Sequence, residues 1–151
     1  MNKFFIFISI SLFFIGCERG SFIKKVESKN SFDVTVTKLQ KIIKSKKLTL
    51  FEVIDHQKNA KSVNLKMLPQ KVVIFGNPNM GTALMKCNPS IALDLPLRIS
   101  IDKDYAGVVT LRYTNPEYWS LKHNVKDKQC LNILNKASIA LFNITKKVSE
   151  K

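Results

Sequence analysis

The chain is short of several residue types, and each shortage closes a class of function. Its 151 residues include 3 cysteines and 2 histidines. A structural zinc site takes four such ligands, usually in close pairs, and no close pair occurs here. No Cys-x-x-Cys-His run exists, so haem is not attached covalently. With 5 glycines and 5 prolines, the chain is neither collagen-like nor of low complexity. A Gly-x-Ser-x-Gly elbow is missing, which disfavours serine hydrolase chemistry of that design. Gly76-x-x-x-x-Gly81-Thr82 resembles a phosphate loop, but no Lys precedes the hydroxyl residue to reach the β- and γ-phosphates, which disfavours nucleotide hydrolysis. Its glycines read as turn formers, with an anion on the backbone N–H groups of residues 82–84 as the alternative. Acidic residues are scarce: 11 Asp+Glu face 25 Lys+Arg, a formal charge of +14. Only 3 of those 25 are Arg, whereas bidentate phosphate reading favours Arg, so nucleic acid is not an expected partner. Solvated lysine faces, with some attraction to anionic headgroups, account for the charge.

No apolar run approaches the roughly 20 residues that span a bilayer. The longest covers residues 4–15, broken by Ser9 and Ser11, behind Lys3 and before Gly16-Cys17. A charged start, a short apolar stretch and a small residue at a cleavage point make a secretory signal. Cys17 directly after Gly16 makes it a lipoprotein signal over residues 1–16, with Cys17 as the lipidated residue. Residues 17–31 are then a lipidated tether, and residues 32–151 form one domain. Multiple acyl chains hold a protein stably at a membrane. The expected location is the bacterial cell envelope, facing the periplasm, and Glu18 after the lipidated Cys fits outer-membrane sorting. Cys87 and Cys130 remain. Nothing in their spacing brings them within the reach a disulfide needs, so two separate buried thiols are expected, with pairing as the alternative.

Periodicity divides the rest into elements. Phe32, Val34 and Val36 alternate with polar residues, predicting a strand. Residues 38–47 follow as an amphipathic helix capped by Thr37. Residues 48–56 are rich in β-formers, and Val72-Val73-Ile74-Phe75 predicts a central strand covered on both faces. Thr82 caps a short helix ending before Pro89. Alternation around Ile99 and Leu111, with Gly107 between, predicts an antiparallel hairpin. Residues 116–124 suit a short helix. Cys130, Leu134, Ala137, Leu141, Ile144 and Val148 mark one face of a long final helix. Strand, helix, two strands, helix, two strands and helix indicate an α+β fold, a mostly antiparallel sheet with helices on one face.

Ile54-Asp55-His56, Ile74-Phe75-Gly76-Asn77-Pro78, Gly81-Thr82-x-Leu84-Met85, Leu93-Asp94-Leu95-Pro96-Leu97 and the segment from Tyr113-x-x-Pro116 to His123 occur in order. On these motifs the chain resembles the bacterial and archaeal family called domain of unknown function 302. The resemblance implies a TATA-binding-protein-like α+β domain, a homodimer, and no established catalytic residues.

Neighbours on a strand face opposite ways, so Asp55 and His56 do not both line one pocket unless the strand ends there. His56 and His123 are expected to be structural, with a shared ligand or metal site as the alternative. Met80, Met85 and Cys87 are soft candidate ligands that also suit core packing. Tyr113, Tyr118 and Trp119 suit packing, a ligand or a dimer contact. The leading expectation is a non-enzymatic domain, without cofactor or resident metal, that binds a small ligand or a protein. Its cleft is expected to carry His56, Asn77, Thr82, Asp94, Tyr113 and His123. The alternative is a metal-binding, redox or acid/base enzyme using His56 and His123.

Overall fold

A computed structural model describes residues 22–151. The signal segment, Cys17 and the first part of the expected tether lie outside the described residues. Five strands form one antiparallel sheet: β1 (Ile23–Ser28), β2 (Thr49–Asp55), β3 (Gln70–Gly76), β4 (Leu97–Lys103) and β5 (Val109–Thr114), in the order β1-β5-β4-β3-β2. The helices are α1 (Phe32–Ser45), α2 (His56–Ser62), α3 (Pro78–Cys87), α4 (Trp119–Lys122) and α5 (Lys128–Ser149), with 3-10 turns at Pro89–Leu93 and Pro116–Tyr118.

The expected α+β architecture is present, with two local corrections. Phe32 begins α1 rather than a strand, and Thr37 lies inside that helix. The buried residues Phe32, Thr35, Val36, Leu39, Ile42 and Ile43 recur at helical spacing, so the brief Val/Thr alternation is overridden by a stripe that covers the sheet. Residues 23–28, inside the expected tether, form edge strand β1 on β5, with Val26 opposite Leu111. Its sequence, IKKVES, carries the lysines that keep an edge from pairing elsewhere, and that same charge made it read as a linker.

Same-face partners follow the register. Val73 pairs with Ile99, and Ile101 with Leu111. With Phe75, Val109 and Tyr113 they form the inner face, buried beneath Leu39 and Ile43 of α1 and Leu141, Ile144 and Val148 of α5. The opposite face carries half-buried Val72 and Ile74, so β3 is fully covered on one side only.

Helix length explains a second core. The 22 residues of α5 extend about 33 Å at 1.5 Å per residue. The 7-residue strand β4 extends only about 23 Å. The N-terminal half of α5 therefore overhangs the sheet. There Cys130 and Leu134 pack with Leu84, Ile91, Trp119 and Val125 in a separate cluster. Between the two clusters the stripe on α5 narrows to alanine.

Candidate functional site

The gap between the clusters is a cavity of about 520 Å³. Its walls come from the C-terminal end of β3, from α3, from the Leu95-Pro96-Leu97 segment and from α5. On α5 it is bordered by Ile133, Lys136, Ala137, Ala140 and Ile144. Ala137 and Ala140 face the place where larger side chains would close the two cores together. Pockets of roughly 300–1,000 Å³ with apolar walls suit small ligands. Phe75, Leu84, Met85, Leu95 and Trp119 contribute to the apolar wall. Met80 and Met85, 43% and 37% exposed, flank the mouth with flexible thioethers that adapt to varied shapes.

The loop after β3 fixes the wall formed by α3. Asn77 Oδ1 accepts from the backbone N–H groups of Asn79 and Met80 at 3.0 and 3.3 Å, and Pro78 begins the helix, where a missing N–H costs nothing. Gly81 N–H donates to Asn77 O at 2.9 Å. Asn77, and not Thr82, is therefore the cap. The helix starts five residues earlier than expected, and the anion reading at residues 82–84 falls because those N–H groups lie inside α3.

The six expected cleft residues separate. Asn77 and Thr82 line the cavity. Tyr113 does not: it is 6% exposed in the sheet core, and burial raises its pKa against an opposing hydrogen bond from Thr145. His56 opens α2, directly after Asp55, which pairs across the sheet with Lys71. Asp94 precedes β4, whose Leu97 is opposite Phe75. His56 and Asp94 thus sit at opposite ends of the strands, and His123 lies with Asp94. The histidines share no site.

Asp55 does end its strand, but as a cap. Lys58 N–H donates to it at 2.9 Å, and Lys71 lies 3.3 Å away. The backbone hydrogen bond from Lys58, joined by Lys71 and opposed by desolvation, holds this carboxyl below its ordinary value.

Asp94 and His123 form a compact polar knot beside the cavity wall. His123 Nε2 is 2.6 Å from Asp94 Oδ2, and Ser90 Oγ is 2.7 Å from His123 Nδ1. Lys122 Nζ donates to Asp94 Oδ1 at 3.0 Å. Desolvation pushes the Asp94 carboxyl up, yet hydrogen bonds and charge from Lys122 and His123 outweigh it and leave its pKa lowered.

The serine, histidine and carboxylate in line invite comparison with a nucleophilic triad, but the local geometry serves structure. Asn88 Oδ1 accepts from both Ser90 N–H and Ser90 Oγ, at 2.9 and 2.8 Å, while its Nδ2 donates to His123 O at 2.7 Å. The Ser90 hydroxyl donates to Asn88 Oδ1, a partner other than His123. The Ile91 N–H is spent on Asn88 O, so this turn offers no paired donors there for an oxyanion. The knot ties the 3-10 turn at Pro89–Leu93 to the end of α4.

Cys87 and Cys130 are joined in a disulfide, which corrects the expectation of two separate thiols. It clamps the end of α3 to the first turn of α5. A sequence separation of 43 concealed this closeness. Cys87, Asp127 and Cys130 are the one cluster of metal-capable side chains among the described residues, and neither histidine belongs to it. No described helix is long and apolar enough to cross a membrane.

Trp119, Ile133, Ala137, Ala140 and Lys136 were not among the expected cleft residues. Ala137 stood in the helical stripe, but alanine within such a stripe does not reveal whether the opposite wall closes in.

Comparison with known proteins places this geometry in a family. Proteins named fluoride-specific ion channel FluC 1 from Brucella suis biovar 1 and Brucella abortus biovar 1 are 35% identical over 100 residues. That segment is 66% of this chain but 39% and 37% of those proteins, so the chain matches about two fifths of their length. The crystal structure of an uncharacterized conserved DUF302 protein from Bacillus stearothermophilus superposes with a TM-score of 0.76 at 14% identity, covering 85% of this chain and 99% of that one. The family described as domain of unknown function DUF302 matches residues 24–141, and the chain belongs to it.

Proposed function

We propose that this protein is a membrane-anchored, non-enzymatic binding domain that takes a small apolar ligand in the cavity between its two cores. The observation that carries this reading is the cavity of about 520 Å³, walled by α3 and α5 and bordered by Ala137 and Ala140. Apolar space of this size leaves its lining without packing partners, and a ligand restores those contacts. The polar groups nearby have structural employment: Asn77 caps α3 and Asp94 holds His123. That favours binding over catalysis. The separation of His56 from His123 weighs against an enzyme or metal site that uses both.

Cys17 is the proposed lipid anchor, and the periplasmic face of the envelope its setting. The similarity to segments of proteins named as fluoride channels agrees with a membrane setting. No channel activity is carried over to this chain.

The test is extraction of protein purified from membranes, with mass spectrometry of what is released. A small apolar molecule near one per chain is expected from the wild type and not from Ala140→Trp, which fills the cavity. Circular dichroism checks that the variant folds. If wild type and variant release the same molecules, and an apolar fluorescent probe binds both equally, the cavity is not a ligand site.

A further inference from the structure

Resting on that reading of the cavity, we infer that its ligand class is a single-chain amphiphile with an anionic head, such as a free fatty acid. The apolar walls specify the tail, and the polar lining specifies the head. Among the described residues, Lys136 is the one ionisable side chain that lines the cavity, and no Asp or Glu does. It is exposed on α5 and has no carboxylate within ion-pair distance among the described residues. Trp119, 3% exposed, borders the same cavity. A carboxylate carries both the charge that Lys136 lacks and oxygens that only accept. A cation would meet an ammonium and no counter-charge. The volume is that of a site for a drug-sized molecule, which suits one acyl chain and not a two-chain phospholipid.

The chain has a single tryptophan, and it lines the cavity, so its fluorescence reports occupancy. Full-length protein in nanodiscs of zwitterionic phospholipid is titrated with laurate and, separately, with 1-dodecanol, which has the same chain and no charge. We expect saturable changes in Trp119 emission with both, and tighter binding of laurate. Lys136→Glu weakens laurate binding by about tenfold or more and leaves dodecanol binding unchanged, because a charge-assisted contact is replaced by repulsion. Lys136→Gln falls between. If laurate and dodecanol bind wild type and Lys136→Glu alike, the assignment of an anionic head is overturned while the cavity reading survives. If neither ligand produces a saturable change, both fall.

Discussion

Asp94 illustrates how one side chain holds two segments that local sequence leaves independent. Its carboxylate receives His123 and Lys122, which tethers the entry to β4 to the end of α4. Asp94→Asn keeps the shape and removes the charge. We expect a loss of about 1–3 kcal/mol at neutral pH, since His123 is left buried with a weaker partner. Denaturant titration measures it. The folded pKa of Asp94 lies below its ordinary 3.8, so its contribution is complete above that value and is lost as pH falls through the folded pKa. The stability gap between wild type and Asp94→Asn therefore stays constant just above pH 4 and closes below it. A gap that widens on acidification would contradict this account. The same residue-scale reasoning distinguishes Asn77 from Thr82: both line the cavity, but only Asn77 has its oxygen committed to a helix start.

At the scale of elements, α5 is the member that connects everything else. Its C-terminal half buries Leu141, Ile144 and Val148 on the sheet, and its N-terminal half buries Cys130 and Leu134 against α3 and α4. The second contact area is small, and the Cys87–Cys130 disulfide reinforces it. Cross-linking over 43 residues constrains the unfolded chain and contributes about 2–4 kcal/mol. The paired variant Cys87→Ala/Cys130→Ala is thus expected to melt lower than oxidised wild type. Reductant should lower the wild type toward the variant and leave the variant unmoved. Equal melting of oxidised and reduced wild type would show that α3 and α5 hold together without the bond. Because both helices wall the cavity, loosening them should also weaken occupancy in the Trp119 fluorescence assay.

For the whole molecule, the question is where a lysine-rich chain of +14 resides. The proposed lipid at Cys17 and the lysine-rich surface would act over different ranges. Acyl chains hold irrespective of salt, whereas attraction to anionic headgroups is screened beyond about 10 Å at 0.1 M. Wild type should remain with membranes through high-salt washing. Cys17→Ala should leave under the same wash, measured by fractionation and immunoblotting. If Cys17→Ala stays in the membrane after that wash, acylation is not the anchor. A domain held beside a bilayer would have ready access to amphiphiles, which links the proposed anchor to the proposed cavity ligand.

Sequence alone determined the α+β class, the hairpin of β4 and β5, and the apolar stripe of α5. These follow from periodicities of two and of about 3.6, which are local properties of the backbone. The family motifs were legible in the same way. Sequence also singled out Asn77, Thr82, Asp94 and His123, without showing that the first two line a cavity and the last two form a knot beside it. Tertiary structure decided that Phe32 starts a helix, because burial against distant residues outweighs weak local preference, and that the charged segment Ile23–Ser28 is a strand, because β5 pairs with it. It alone decided that Cys87 meets Cys130 and that His56 stays apart from His123. The cavity itself is a mismatch between a 22-residue helix and 7-residue strands, left open at Ala137 and Ala140. No single segment encodes that space, since its walls come from elements that meet only once the chain has folded.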